Sequence, residues 1–267
     1  MQVNRRKVTI SAAVLAGLII AGLKPRASLA AWNQKGFDAR NLEDALRAAG
    51  MAGAAPSADI VINAPDVPES SAFVPIQIES RVPGTQAIAV FVDRNPFPFI
   101  ARFELTPPAL PLVSLRLRVG ETSPVRVIVE AGGRYHVAIK EVTVVGGGCT
   151  DPAFSGDPSG APAKSGPTKI RATIRGSSVD LRALLAHPME NGLRRDPAGK
   201  LIAEHFIREL DVRLNGKTVI TAQIGRSVST NPLFAFKLQG GRVNDKLVIS
   251  WRDNKGLARI DEAAVSA

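Results

Sequence analysis

The chain has 267 residues and a formal net charge of +10, with 34 basic residues, 24 acidic residues and 5% aromatic residues. The basic residues are dispersed along the chain, and five of them lie in residues 1–30, which contain no acid. Nucleic-acid binding needs a basic stripe with stacking aromatic side chains, so the composition argues against that class of protein.

The first 30 residues have the features of an export signal. Arg5–Lys7 is a positive region, Val8–Leu23 is an apolar run, and Ser28–Ala30 is a small-x-small cleavage site. The apolar run is too short to span a membrane comfortably and is followed by a processing site. We therefore expect a periplasmic protein that begins at Ala31 and has no stable membrane insertion after processing. The paired arginines leave the twin-arginine and general secretory routes both open.

The pattern of apolar residues predicts one short helix followed by strands. Leu42, Ala45, Leu46 and Ala49 recur at helical spacing, with Asn41 as a candidate cap and Gly50 at the end. Beyond the helix, apolar residues alternate with polar ones, which is typical of strands in a β-sandwich. In the first half these strands are centred on Val74–Ile78, Ile88–Val92, Leu115–Val119, Val125–Val129 and Tyr135–Ile139.

A second group of strands follows a stretch rich in proline and glycine. This stretch, residues 150–168, predicts a semi-extended linker. Asn215-Gly216 is a strong signal for a type I′ hairpin turn. The alternating runs are Ile170–Ile174, Val212–Val219, Phe234–Leu238, Leu247–Trp251 and Ala258–Ile260. The sequence thus predicts an all-β protein with two sandwich domains, residues 31–149 and 169–267, of ordinary domain size.

Cys149 is the one cysteine of the chain, and Gly146, Gly147 and Gly148 precede it directly. Structural cysteines are among the most buried residues, and three glycines offer no side chain to cover a thiol. A single exported cysteine cannot pair within its own chain, so it either joins another molecule or works as a thiol. We therefore predict a flexible arm, Gly146–Gly148, that carries a nucleophile able to hold a covalent cargo.

Other kinds of chemistry find little support in the sequence. The three histidines, His136, His187 and His205, have no spacing that indicates a metal site, and no glycine-rich loop joins a strand to a helix. No pair of carboxylates suggests acid–base catalysis. We predict no metal, no cofactor and no catalytic residue.

Several stretches of both domains are distinctive. In the first domain they are Phe73–Glu79, Val90–Pro96, Leu110–Ser114 and Ala131–Tyr135 running on to Cys149; in the second they are His187–Asp196, Gly199–Ile202, Ser229–Pro232 and Trp251–Gly256. On these stretches the first domain resembles SoxY and the second resembles SoxZ, the two subunits of the SoxYZ sulfur carrier, here fused in one chain. The fused arrangement looks like the SoxYZ-like carriers associated with quinoprotein dehydrogenases.

The resemblance implies two immunoglobulin-like sandwiches without catalysis of their own. It implies that Cys149 holds sulfur intermediates as a thiosulfonate or persulfide during oxidation of thiosulfate or other sulfur compounds. The implied partners are periplasmic sulfur-oxidising enzymes or a quinoprotein dehydrogenase system. His187, Pro188 and Met189 match the SoxZ-like stretch, but we transfer no catalytic role to them and expect loop structure and packing between the domains.

The chain departs from the family pattern directly after the cysteine. Thr150 and Asp151 replace two glycines, and the chain continues instead of ending, so the arm is tied at both ends. Two other functions stay open at this point: an accessory or binding module for a periplasmic quinoprotein dehydrogenase, and a thiol redox protein.

Overall fold

The structure, a computed structural model, describes residues 31–145, 164–196 and 198–267. The predicted export signal, residues 150–163 of the predicted linker, and Cys149 with Gly146, Gly147 and Gly148 lie outside the described residues. Below, residues 31–145 are called the first half and residues 164–267 the second half. Trp32–Ala267 forms one unit by its internal contacts.

Two short helices precede the strands. They are α1 (Gln34–Asp38) and α2 (Leu42–Ala49). The predicted helix α2 is confirmed at both ends: the Asn41 side chain accepts a hydrogen bond from the Asp44 N–H, and Gly50 adopts the left-handed conformation. The sequence patterns did not predict α1. Neither helix in the described part of the chain is long or apolar enough to cross a membrane.

The rest of the described chain is built from strands, which confirms the all-β class. The first half contains β1 (Ala55–Pro56), β2 (Ile60–Asn63), β3 (Val74–Ser80), β4 (Thr85–Val92), β5 (Phe99–Leu105), β6 (Ala109–Leu117), β7 (Ser123–Ala131) and β8 (Arg134–Val142). The second half contains β9 (Lys169–Arg175), β10 (Ser178–Leu184), β11 (Ile207–Leu214), β12 (Lys217–Ile224), β13 (Leu233–Gln239), β14 (Lys246–Asp253) and β15 (Ala258–Ala264). The predicted turn between β11 and β12 is confirmed, with positive φ at Asn215 and Gly216.

Strands from both halves join in each of two sheets. The nine-stranded sheet has the order β1-β8-β7-β4-β5-β12-β11-β14-β15, and the six-stranded sheet has the order β2-β3-β6-β13-β10-β9. The halves meet where β5 pairs with β12 and where β6 pairs with β13, both antiparallel. We call these two pairings the seam.

One hydrophobic core lies between the two sheets and crosses the seam. It contains buried side chains from both halves in a single cluster. Phe103 of β5 shows the crossing directly, because its ring centroid lies 5.9 Å from those of Phe234 and Phe236 on β13. Edge-to-face contacts at this distance add to the apolar area that is buried.

The segment before α2 covers the outer face of the nine-stranded sheet at the seam. The ring of Phe37 stacks on Phe99 of β5 at 4.1 Å, while the Trp32 indole donates a hydrogen bond to the Ile224 carbonyl of β12. Gly225 allows this close approach: a Cβ there would lie 2.6 Å from the Phe99 oxygen and 2.8 Å from the Phe37 ring. The segment therefore contacts both halves.

Two buried arginines cross the seam in opposite directions. Arg118, from the first half, donates to the Met189 and Arg226 carbonyl oxygens at 2.6 and 3.1 Å and to the Thr230 hydroxyl at 2.9 Å. Arg226, from the second half, pairs with the Asp38 carboxylate at 2.7 Å. These contacts hold loops of each half against the other.

We expect Arg118→Gln to lower the free energy of unfolding by about 3 kcal/mol, because it leaves buried oxygen atoms without their charged donor. The matched control is Arg116→Gln, two residues earlier, where the side chain lies on the outer face; its effect should stay within about 0.5 kcal/mol. Urea unfolding measures both. Equal stability of the two variants would contradict a bridging role for Arg118.

Candidate functional site

The described part of the first half ends at Val145, three residues after β8 and four residues before Cys149. The Thr143 N–H donates to the Asp66 carbonyl oxygen at 2.8 Å, and the Val144 N–H donates to the Thr122 hydroxyl at 3.1 Å. The next residue, Val145, is 84% exposed. Gly146, Gly147, Gly148 and Cys149 follow it and lie outside the described residues. We call residues 143–145 the arm root.

The chain returns to the body in the second half. The Gly166 N–H donates to the Ala186 carbonyl oxygen at 2.9 Å, and the Thr168 N–H donates to the Asp261 carboxylate at 2.9 Å. The Thr168 hydroxyl also accepts a hydrogen bond from the Trp251 indole at 3.1 Å. The described residues on both sides of residues 146–163 are therefore fixed, one side on each half of the protein.

An ion pair lies beside the arm root. The Lys140 ammonium contacts the Asp66 carboxylate at 2.7 Å, and Asp66 is the same residue whose carbonyl oxygen holds Thr143. The hydrogen bond from Lys140, together with its charge, lowers the pKa of Asp66 below its usual value. The carboxylate is largely exposed, so this pair orients the arm root more than it stabilises the fold.

A second constellation, which the sequence did not predict, joins two histidines and an aspartate. One carboxylate oxygen of Asp253, Oδ2, lies 3.3 Å from His187 Nε2 and 2.8 Å from His205 Nε2. The other oxygen, Oδ1, accepts hydrogen bonds from the Lys255 and Leu257 backbone N–H groups, each at 2.9 Å. His187 and Asp253 are buried, and the His205 side chain is 21% exposed. No local spacing signals this cluster, because its members are far apart in sequence.

The donor atoms of the cluster lie close enough together to bind a metal ion. Whether they form a metal site or a hydrogen-bonded network depends on which nitrogen atoms carry protons. The Met189 N–H donates to His187 Nδ1 at 3.1 Å. In the neutral ring Nδ1 is therefore the acceptor, and Nε2 carries the proton that is donated to Asp253. A metal ligand at Nε2 would have to lose that proton. The geometry thus fits a hydrogen-bonded structural network better than a metal centre.

Burial and hydrogen bonding hold the network in this protonation state. Burial lowers the pKa of His187 to about 4, against the opposing effect of its hydrogen bond with Asp253. Burial raises the pKa of Asp253, but the hydrogen bonds from His205, His187 and two backbone groups outweigh it and lower that pKa. At neutral pH the cluster therefore holds a neutral His187 and an ionised Asp253.

The same loop contacts the first half of the protein. Arg118 binds the Met189 carbonyl oxygen, and a buried ion pair joins Glu190 to Arg194, with Nε of the arginine 3.0 Å from the carboxylate. These contacts agree with the packing role expected for the His187–Met189 stretch. The third histidine, His136, lies on β8 and is not part of the cluster.

Each half of the chain matches a family model of known proteins. Residues 47–149 match the family model described as sulfur oxidation protein SoxY, and residues 169–264 match the model described as sulphur oxidation protein SoxZ. The chain is a fusion of a SoxY and a SoxZ protein. No curated protein matched the sequence.

Solved structures give three further similarities. The sulfur carrier protein SoxY from Chlorobium limicola f thiosulfatophilum is 38% identical over 42% of this chain and 99% of that one, with a TM-score of 0.37. A BSP domain of a biofilm-associated protein is 11% identical over 87% of this chain and 33% of its own, with a TM-score of 0.25. A β-glycosidase from Bacteroides vulgatus is 8% identical over 84% of this chain and 26% of its own, with a TM-score of 0.25. Since all three TM-scores are below 0.5, the assignment to SoxY and SoxZ rests on the family models.

We expect the stability of the protein to fall as the pH is lowered from 6.5 towards 4. In this range the unfolded chain binds a proton at His187, whose ordinary pKa is 6.5, whereas the folded protein leaves His187 neutral. One such proton contributes up to about 1.4 kcal/mol per pH unit. Urea unfolding at several pH values should show a shallower dependence for His187→Gln than for wild type. An unchanged slope in His187→Gln would contradict the buried neutral histidine.

Proposed function

We propose that this SoxY–SoxZ fusion carries sulfur intermediates covalently on Cys149 during the oxidation of thiosulfate or related sulfur compounds. The observation that carries the proposal is the extent of the SoxY match, which runs from residue 47 to residue 149 and so includes the glycines and the cysteine. The SoxZ match begins at residue 169, directly after the predicted linker. The similar SoxY structure is described as a sulfur carrier protein.

The chemistry assigned to Cys149 is the formation of a sulfur–sulfur bond. When the thiolate joins the terminal sulfur of thiosulfate, a thiosulfonate forms and two electrons leave. A partner enzyme that accepts electrons must therefore make this bond. Hydrolysis of the adduct uses one water, releases sulfate and leaves a persulfide on the cysteine. The carrier contributes the thiol, and its partners contribute the catalysis.

The proposed partners and location follow from the family and from the first 30 residues. Both families belong to sulfur oxidation, so the proposed partners are enzymes of that process, with a quinoprotein dehydrogenase system as a candidate for the fused form. The export signal over residues 1–30 supports a periplasmic location. We propose no resident cofactor, because the cargo itself is the group that Cys149 holds.

The intact mass of the protein purified from its native host tests the proposal. Wild-type protein should show mass increments equal to added sulfur atoms or to a thiosulfonate, and a thiol reductant should remove them. Cys149→Ser should show none of these increments, and its midpoint of thermal unfolding should equal that of wild type. Wild-type protein that stays unmodified during growth on thiosulfate would contradict carriage and favour an accessory module, as would adducts that persist in Cys149→Ser.

A further inference from the structure

A groove on the outer face of the six-stranded sheet lies across the seam. Its volume is about 600 Å³, and β2, β3, β6, β10 and β13 contribute to it, with one residue from β8. We call it the basic groove. Its lining includes Gln77, Ser114, Arg116, Lys140, Arg182 and Ala235.

The groove follows from small side chains at the middle of the sheet. Ser114 pairs with Gln77 on one side and with Ala235 on the other, and Ala235 pairs in turn with Arg182. Neighbouring residues along β6 and β13, such as Val113 and Phe236, point into the core and are buried. Small residues on the outer face therefore form a low floor, and longer side chains rise on each side. The floor exists only because β6 of one half pairs with β13 of the other.

Positive charge dominates the walls of the groove. Arg116 stands on β6 and Arg182 on β10, and these strands are two spacings, or about 10 Å, apart. Within residues 31–145, 164–196 and 198–267, neither guanidinium has a hydrogen bond or an ion pair, and no acidic residue lines the groove. Lys140 adds a third cation, partly neutralised by Asp66. Two free guanidinium groups therefore face one cleft.

We propose that the basic groove binds a small sulfur oxyanion of the thiosulfate or sulfite class without a covalent bond. Guanidinium groups present rigid pairs of N–H donors that match the oxygen atoms of a tetrahedral oxyanion. Two such groups on opposite walls can hold one anion between them above the apolar and hydroxyl floor. The choice of sulfur over phosphorus rests on the proposed function.

The position of the groove relates this site to the arm root. Lys140 lines the groove, and its ion-pair partner Asp66 accepts the hydrogen bond that fixes Thr143. The end of the groove that Lys140 lines therefore lies beside Thr143, close to the last described residue before Cys149. The groove thus adds a reversible binding site for an oxyanion to the covalent site of the arm.

Isothermal titration calorimetry with sodium thiosulfate at constant ionic strength tests the proposal. The protein is the mature chain with Cys149→Ser, so that no covalent adduct contributes and failure of carriage does not affect the result. We expect saturable binding with one site per chain. Arg116→Gln and Arg182→Gln should each weaken it about tenfold, as expected for loss of a charge-assisted hydrogen bond, and the double variant should abolish it.

The matched control is Arg252→Gln, which removes an exposed arginine from β14 of the other sheet and should leave the affinity unchanged. Circular dichroism and thermal unfolding establish that each variant is folded. Absence of saturable binding, or equal weakening by Arg252→Gln, would overturn the site. Inorganic phosphate that binds as tightly as thiosulfate would overturn the assignment to sulfur oxyanions.

Discussion

The seam between the two halves is the constraint on which the rest of the structure depends. Backbone hydrogen bonds of β5 with β12 and of β6 with β13 make each sheet continuous, and Arg118 and Arg226 cross between the halves. Burying a charged side chain is costly unless its donors are satisfied. The loops that bind Arg118, around Met189 and Thr230, must therefore keep their observed positions in the joined form.

Three features of the surface follow from the seam. The N-terminal segment packs on it through Trp32 and Phe37, the basic groove lies across it, and the chain leaves one half at Val145 and returns in the other at Lys164. The His187–His205–Asp253 network fixes the loop that receives Arg118. The described residues that flank residues 146–163 are thus anchored to one body, one in each half.

Local patterns in the sequence predicted the elements whose structure is determined by residues close together in the chain. Alternation identified β3 through Val74, Ile76 and Ile78, and Asn215-Gly216 identified the β11–β12 turn. Strand β5 was missed because it is buried on both faces, so Phe99–Ala101 shows no alternation. The seam and the histidine network depend on pairs far apart in sequence, such as His187 and Asp253, which no local pattern reveals. Cys149 was selected from the sequence alone, and it lies outside the described residues.

Cleavage of the chain between residues 160 and 161 tests most directly whether the seam, and not the covalent link, holds the halves together. A protease site inserted there would give two fragments that can be followed by size-exclusion chromatography at micromolar concentration. The continuous sheets and the shared core predict that the fragments elute together as one complex of unchanged size. Elution as two separate folded fragments would contradict the account, because the seam would then be too weak to join the halves on its own.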